Sequence, residues 1–450
     1  MGKGAMIMAE RKLPKDMQTP PSINSSFQEK MIVETREYEL ITPLFGGGVE
    51  PNTPDPVTTI RATEIRGHLR FWWRATRGGQ FKTIEELKAK EDEIWGAAAK
   101  FDKQGIPFGA SDVSIEVSKA SQGKPDTPFM VEGSKQKPTL VARPETRIPS
   151  YVAFPLQPPK AEQEPGMEIK PVYTNINFIV KIQYPKKYKL EVDAAVWAWE
   201  TFGGLGARTR RGFGALNFTK LNNKIVDKSY TRDKDSFNSW IKEHLEKFIE
   251  KEDWPQNIPH LSKKIKISTL YNLENDAYSA WRKLIYKLSY FRQYRIDKET
   301  LKNNKYGHSD WPEPNAIRKA FGRSSKGPHA NRNIHKFPRA QFGLPIIFHM
   351  PHDANLSTTL AGEMKIGGET KSRLASSLIL KPIVVSNGAI GIGVLLEGTS
   401  LPLPLKLKNQ SPPTEFQADP TLEPNEAQQI TLLKGEKDVL KAFLAYLERK

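Results

Sequence analysis

The 450-residue sequence contains no cysteine. This excludes a disulfide framework, thiolate-bound zinc and a cysteine nucleophile, and it fits a reducing, cytoplasmic setting. No apolar run approaches the roughly 18 residues that a membrane-spanning helix needs, so no membrane partner is expected. Residues Met1–Lys30 lack the apolar stretch of a signal peptide and are polar and proline-punctuated; they read as a flexible leader. There is no Gly-x-x-x-x-Gly-Lys-Ser/Thr phosphate loop. Gly204-x-Gly206-x-x-Thr209 lacks the third glycine of a dinucleotide fingerprint, and it follows a helical pattern where that fingerprint follows a strand. No cofactor is expected. His349-x-x-His352-Asp353 is the only His/carboxylate group at metal-like spacing, but a proline-flanked turn does not oblige two imidazoles to converge, so no metal is expected either. Ser/His/Asp triads assemble in space and cannot be read from spacing. No catalytic residue is assigned.

Positive charge is abundant. Sixty-eight Lys and Arg against 51 Asp and Glu leave a formal net charge of +17, with aromatics at 10%. That balance suits a polyanion, because each neutralised phosphate releases counterions. The charge is also clustered. Phe202–Gly214 (FGGLGARTRRGFG) holds five glycines and three arginines. A helical pattern of Val192, Ala195, Val196 and Trp199 leads into it, and a strand pattern, Phe213–Thr219, leaves it. Glycine lets a backbone approach a partner closely, and the arginine fork matches phosphate oxygens. Gly203, Gly204, Gly206, Arg208, Arg210 and Arg211 are therefore candidate RNA-binding residues.

Arg61–Arg77 (RATEIRGHLRFWWRATR) is the second informative stretch. On a helix, Ile65, Leu69, Trp72, Trp73 and Thr76 form a core-facing stripe. Arg66, Arg70, Arg74 and Arg77 form another beside it. Like charges at i, i+4 repel mildly, and with only Glu64 in opposition the stripe asks for an external anion. The expectation is that these arginines and the glycine-rich loop converge on one sugar-phosphate strand. A second basic surface is expected around Arg318, Arg323, Arg339 and Arg373.

Taken in order, Met31–Ile41, Val113–Val117, Tyr173–Tyr184 and Phe213–Thr219 read as strands, with helices at Arg61–Arg77 and Val192–Trp199. Ile84–Trp95 is a further charged helix. Strand, helix, strand, strand, helix, strand is the split βαβ order of ferredoxin-like domains. Prolines recur between about 122 and 171, which reads as a long surface loop or extended insertion. Composition shifts at Leu221. Helices follow around Phe237–Phe248 and Ala277–Leu288, with a short one at Pro314–Phe321 and a strand at Phe342–Phe348. A hairpin is expected around Ser386-Asn387-Gly388, and a last helix around Leu440–Leu447. The expected class is α+β: a leader over 1–30, one ferredoxin-like (RRM-like) domain over 31–220, and a second over 221–450, both with long insertions.

The glycine-rich loop, so placed, resembles that of the RAMP superfamily of CRISPR proteins. Leu44-Phe45-Gly46-Gly47-Gly48 followed by Ile60–Arg74 is more particular, and is similar to the first-numbered subunit family of Cmr (type III-B) effector complexes. Trp311-Pro312-Glu313, Phe342-Gly343-Leu344-Pro345 and Ser372-Arg373-Leu374-Ala375-Ser376-Ser377 resemble that family's second half. The resemblance implies two RAMP folds and a non-catalytic RNA-binding subunit of an antiviral ribonucleoprotein. Its partners would be CRISPR guide RNA, target RNA and other Cmr subunits, with a place near the 3′ end of the guide. The leader and the proline-rich insertion depart from the family's compact pattern. Two other readings stand beside this one. A RAMP-type endoribonuclease would process guide precursors with His68 or another histidine as general acid/base. A structural module would use the basic surface on acidic proteins.

Overall fold

The computed structural model describes residues 30–450 apart from 51, 98–99, 102–106, 228–232, 297–306, 328–329, 331, 333, 351–352, 367, 411 and 413–415. The leader expected over 1–30 lies almost wholly outside the described residues, as does His352. The alternation of Met31–Ile41 becomes strand β1 (Met31–Leu40), with Arg36, Tyr38 and Leu40 buried on one side. Helix α1 (Ala62–Arg77) buries the Ile65, Leu69, Trp72, Trp73 and Thr76 stripe. Helix α2 (Ile84–Trp95) starts where the Thr83 side chain accepts from the Glu86 N–H, satisfying one of the orphan donors of its first turn.

Strands β2 (Ser114–Ala120) and β3 (Asn177–Pro185), helix α3 (Lys189–Phe202) and strand β4 (Leu216–Leu221) complete the first half. The sheet is antiparallel, in the order β4-β1-β3-β2, with a two-residue strand at Lys224–Ile225 outside β4. Strand β4 begins later than the expected Phe213. Gly214 is still in the loop, at φ +58°.

Helices α4 (Lys234–Phe248) and α5 (Ala277–Arg292) are capped by Asp233 and Asp276, each accepting from a serine N–H three residues on. Strand β5 (Ile267–Thr269) pairs with β7 (Gly388–Leu395), which pairs with β6 (Leu378–Val385). The turn lies between Val385 and Gly388, as the Asn-Gly signal implies. Helix α6 (Val439–Leu447) closes the chain. Helix Glu313–Ala320 and strands Ile346–Met350, Leu356–Gly362 and Leu405–Lys408 carry a smaller separate core around Ile317, Phe337 and Leu360. The protein is therefore mixed α and β with antiparallel sheets.

The β6–β7 hairpin is apolar on both faces. Ile379, Ile390, Ile392 and Val394 join the core of the first half, while Leu378 and Leu380 join α5 and α6. Lys381 lies among them, 1% exposed, and its Nζ donates to the Glu200 carbonyl at the end of α3. The Glu200 carboxylate accepts from Arg36 at 2.8 Å and from the Tyr38 hydroxyl at 2.7 Å.

The proline-rich insertion is not a surface loop. It forms strands Lys124–Asp126, Phe129–Ser134 and Lys137–Ala142 and a short helix, Ser150–Ala153. Phe129, Val131, Ile148, Val152 and Leu156 are buried in one core with Trp281 and Leu284 of α5. The prolines punctuate strands that are short but alternate, and one side of each finds an apolar partner.

Candidate nucleic-acid interface

The glycine-rich loop leaves α3 at Gly203 and folds back on itself: the Leu205 N–H donates to the Gly214 carbonyl at 2.9 Å. It is tied to the segment after β1 by Ala207 N–H to Phe45 carbonyl at 2.6 Å and Gly214 N–H to Pro43 carbonyl at 2.8 Å. Glu64, in the first turn of α1, accepts from the Gly206 N–H at 2.5 Å. The glycines are needed for this internal packing. Gly206 sits at φ +77°, where a Cβ would lie 2.5 Å from the Phe45 carbonyl oxygen; at Gly212, φ +80°, one would lie 2.6 Å from the Trp281 ring. Close approach is to protein backbone and to α5, a sufficient reason for glycine without any external strand.

The three loop arginines fan across the junction of the two halves. Arg210 donates to the Ser376 carbonyl at 2.5 Å, and its guanidinium lies 5.6 Å over the Phe71 ring. Arg211 donates to the Leu378 and Phe342 carbonyls at 2.9 and 3.2 Å. Arg208, left-handed at φ +60°, lies 5.1 Å over the Phe154 ring of the insertion. Beside them Arg292, at the end of α5, donates to the Tyr151 hydroxyl at 2.9 Å. None of these four arginines makes a salt bridge among the described residues, and the Nε atoms of Arg208 and Arg292 are buried without an acceptor. Burial lowers the pKa of Arg208 and Arg210, and Arg211 is pushed down to about 9 by burial and by Arg292, Arg208 and Arg210. These guanidinium groups are half-buried, and a cation that loses solvent without gaining a counter-charge is costly. An anion seated here would relieve that cost and find donors already positioned.

The α1 stripe is otherwise placed, and the expectation of an external anion for it is corrected. Glu91 of α2, 3% exposed, accepts from Arg70 at 2.6 Å and from Arg74 at 2.5 Å. Arg77 is itself 3% exposed and is held by Glu191 of α3 at 3.0 Å and Glu250 at 3.3 Å. Arg66 reaches the Trp95 carbonyl at 3.3 Å, and burial, then Arg70, lowers its pKa. For Arg70, Arg74 and Arg77 the counter-anions are the chain's own. The loop, meanwhile, docks on the flank of α1 that carries Glu64 and Phe71. At 3.6 residues per turn that flank lies about a third of a turn around the helix from the arginine stripe. The two elements therefore do not converge; Arg292, from 81 residues beyond Arg211, takes the place expected for the stripe.

In the second basic set Arg318 and Arg339 are paired with carboxylates. Asp353, 6% exposed, binds Arg318 at 2.9 Å and Lys326 at 2.6 Å, and its backbone carbonyl accepts from Arg323. Lys326 and Arg318 hold the Asp353 carboxyl below the usual carboxylate range against the opposing effect of burial. Arg339 pairs with buried Glu313 at 3.1 Å and donates to the Arg292 carbonyl at 3.0 Å. Arg373 is exposed. His68 faces Glu64 at 3.7 Å. No signal near Arg292 marks it in the sequence as part of the loop site; the contact is made only by folding.

Residues 37–217 match the RAMP superfamily, a segment that contains β2, β3, α1, α3, the whole loop and parts of β1 and β4. The chain also resembles a curated Cmr subunit. It is 24% identical over 196 residues to CRISPR system Cmr subunit Cmr1-2 of Pyrococcus furiosus, covering 42% of this chain and 97% of that protein. The apo crystal structure of Cmr1 from P. furiosus aligns with 82% of this chain and 89% of its own at 15% identity, with a TM-score of 0.46. A chain of the type III-B Cmr-β complex bound to cognate target RNA aligns with 92% of this chain and 99% of its own at 13% identity, with a TM-score of 0.43. No described helix is long and apolar enough to cross a membrane.

Proposed function

We propose that this chain is a non-catalytic RNA-binding subunit of a type III-B CRISPR (Cmr) ribonucleoprotein, seated near the 3′ end of the guide RNA. There it helps hold guide and target RNA for antiviral defence in the cytoplasm. The observation that carries this reading is the group of Arg208, Arg210 and Arg211 on the loop joining α3 to β4 and Arg292 at the end of α5, which has no carboxylate partner among the described residues. The segment's match to the RAMP superfamily and its likeness to Cmr1-2 support the assignment to a Cmr particle. Arg66, Arg323 and Arg373 are the other candidates without a carboxylate partner among the described residues; Arg70, Arg74 and Arg77 serve the fold.

Each half is read as a ferredoxin-like domain, over 31–220 and 221–450. The order β4-β1-β3-β2 with α1 and α3 supports the first, and β5-β7-β6 with α5 and α6 follows the same scheme short of one strand among the described residues.

The test incubates the full chain with a single-stranded guide-type RNA and maps crosslinks after ultraviolet irradiation. The reading expects intact RNA and crosslinks on residues 203–214 and the end of α5. Cleaved RNA, with cleavage abolished by His68→Ala, would establish the endoribonuclease reading instead. An absence of any crosslink from the free chain and from the assembled particle would leave only the protein-interaction role.

A further inference from the structure

A cavity of about 420 Å³ opens between the proline-rich insertion and α5, beside the glycine-rich loop. Its floor is apolar, from Phe129 and Leu140; Tyr151 and Phe154 form an aromatic wall; Gln157 and Gln293 stand at the rim. No acidic residue lines it. Two contacts join it to the unpaired arginines. The Arg208 guanidinium lies 5.1 Å over Phe154, and Arg292 holds the Tyr151 hydroxyl at 2.9 Å. Both arginines keep a buried Nε–H without an acceptor.

Phe154 is exposed between buried apolar neighbours. Its neighbours Val152, Ala153 and Leu156 are at most 4% exposed, yet Phe154 is 51% exposed. Because Val152 and Leu156 are anchored in the same core as Trp281, the wall is rigid. A rigid ring loses little freedom on meeting a ligand, which favours binding. An exposed aromatic face, amides at the rim and guanidinium donors at one end match the parts of a nucleotide: base plane, base edge and phosphate.

We propose that this slot takes one unpaired nucleobase of a bound RNA strand, stacked on Phe154, while its phosphate meets Arg208 and Arg292. The inference rests on the RNA-binding reading above and assigns the insertion a role of its own. Gln157 and Gln293 contact the base edge, so the slot tolerates every base and favours those that accept and donate there. The adjoining nucleotide leaves along the exposed face of α5, which carries Tyr290, Tyr286 and Lys283.

The test measures binding of the full chain to a fluorescent 12-nucleotide single-stranded RNA by anisotropy, with wild type, Phe154→Ala and Phe154→Trp. A second RNA of the same length, made of abasic nucleotides, serves as the comparison. Phe154→Ala should weaken binding to the base-bearing RNA by roughly five- to hundredfold, the range covered by stacking of one base. Phe154→Trp should restore it, and neither substitution should alter binding to the abasic strand. If Phe154→Ala binds both RNAs as wild type does, the slot is overturned while RNA binding by the loop stands. An equal loss on both RNAs overturns it as well, because the ring would then serve the backbone contact or the local fold. If wild type binds neither RNA, the slot and the RNA-binding reading fall together.

Discussion

Replacing Glu91 by glutamine separates structural arginines from RNA-binding ones. The Glu91 side chain is 4% exposed and bridges Arg70 and Arg74, whose side chains are 25% and 30% exposed. Removing one member of a fully buried pair costs about 3–5 kcal/mol, and an exposed pair contributes at most about 1. The two arginines can partly rehydrate, so the loss should fall between these limits, at about 2 kcal/mol. For a cooperative unit of about 200 residues this lowers Tm by roughly 4–8 °C, readable by differential scanning calorimetry. RNA affinity, measured by anisotropy at a temperature where the variant is folded, should stay within about twofold of wild type. The result that refutes the reasoning is an unchanged Tm together with altered RNA affinity, in either direction. A gain would mean that Glu91 competes with RNA for Arg70 and Arg74, and a loss that Glu91 orients them toward it.

Other consequences follow from buried groups. Burial pushes Lys381 down to about 7, against the pull of Glu200. The unfolded chain, with an ordinary lysine, then binds more protons than the folded one between about pH 7 and about pH 10.5. This group's contribution therefore makes the wild type more stable as pH rises through that window. Lys381→Met should be more stable than wild type near pH 7 by up to about 4 kcal/mol, the size of the lysine's pKa shift at about 1.36 kcal/mol per unit, with the advantage shrinking toward pH 10 in urea titrations; a constant difference would exclude a charged Lys381 as its source. Gly212→Ala should lower stability by roughly 2 kcal/mol or more, since it combines left-handed strain with overpacking against Trp281. Limited proteolysis of that variant should cut faster near residues 203–214, and wild-type resistance would show that the loop can shift away from α5.

Much of the first sheet was legible because its signals are local. Alternation in Met31–Leu40 and Asn177–Pro185, and the apolar stripe of α1, each lie within one element. The Ser386-Asn387-Gly388 turn was legible for the same reason. The arginine stripe shows the opposite. Its 3.6-residue spacing is plain, but its counter-charges come from Glu91 on the next helix and from Glu191 and Glu250 more than a hundred residues away. No window around Arg66–Arg77 contains them. The loop was located correctly from its glycines, yet their reason lies in Phe45 and Trp281, distant in sequence. Arg292 is equally hidden, reaching the loop site only when α5 packs on the insertion. The insertion's strands carried a signal, the alternation of Phe129 and Val131 with Met130 and Glu132, that the surrounding prolines masked.

The most direct measurement is the salt dependence of RNA binding for wild type and Arg208→Asn, a substitution that tolerates the left-handed backbone at this position. For a single strand, each phosphate contact contributes about 0.7 to the slope of log K against log salt. Loss of the Arg208 contact should flatten that slope by about 0.7 and weaken binding most at low salt. An Arg208→Asn chain that is folded, and whose slope and affinity equal those of wild type, would contradict the claim that the glycine-rich loop grips RNA phosphate.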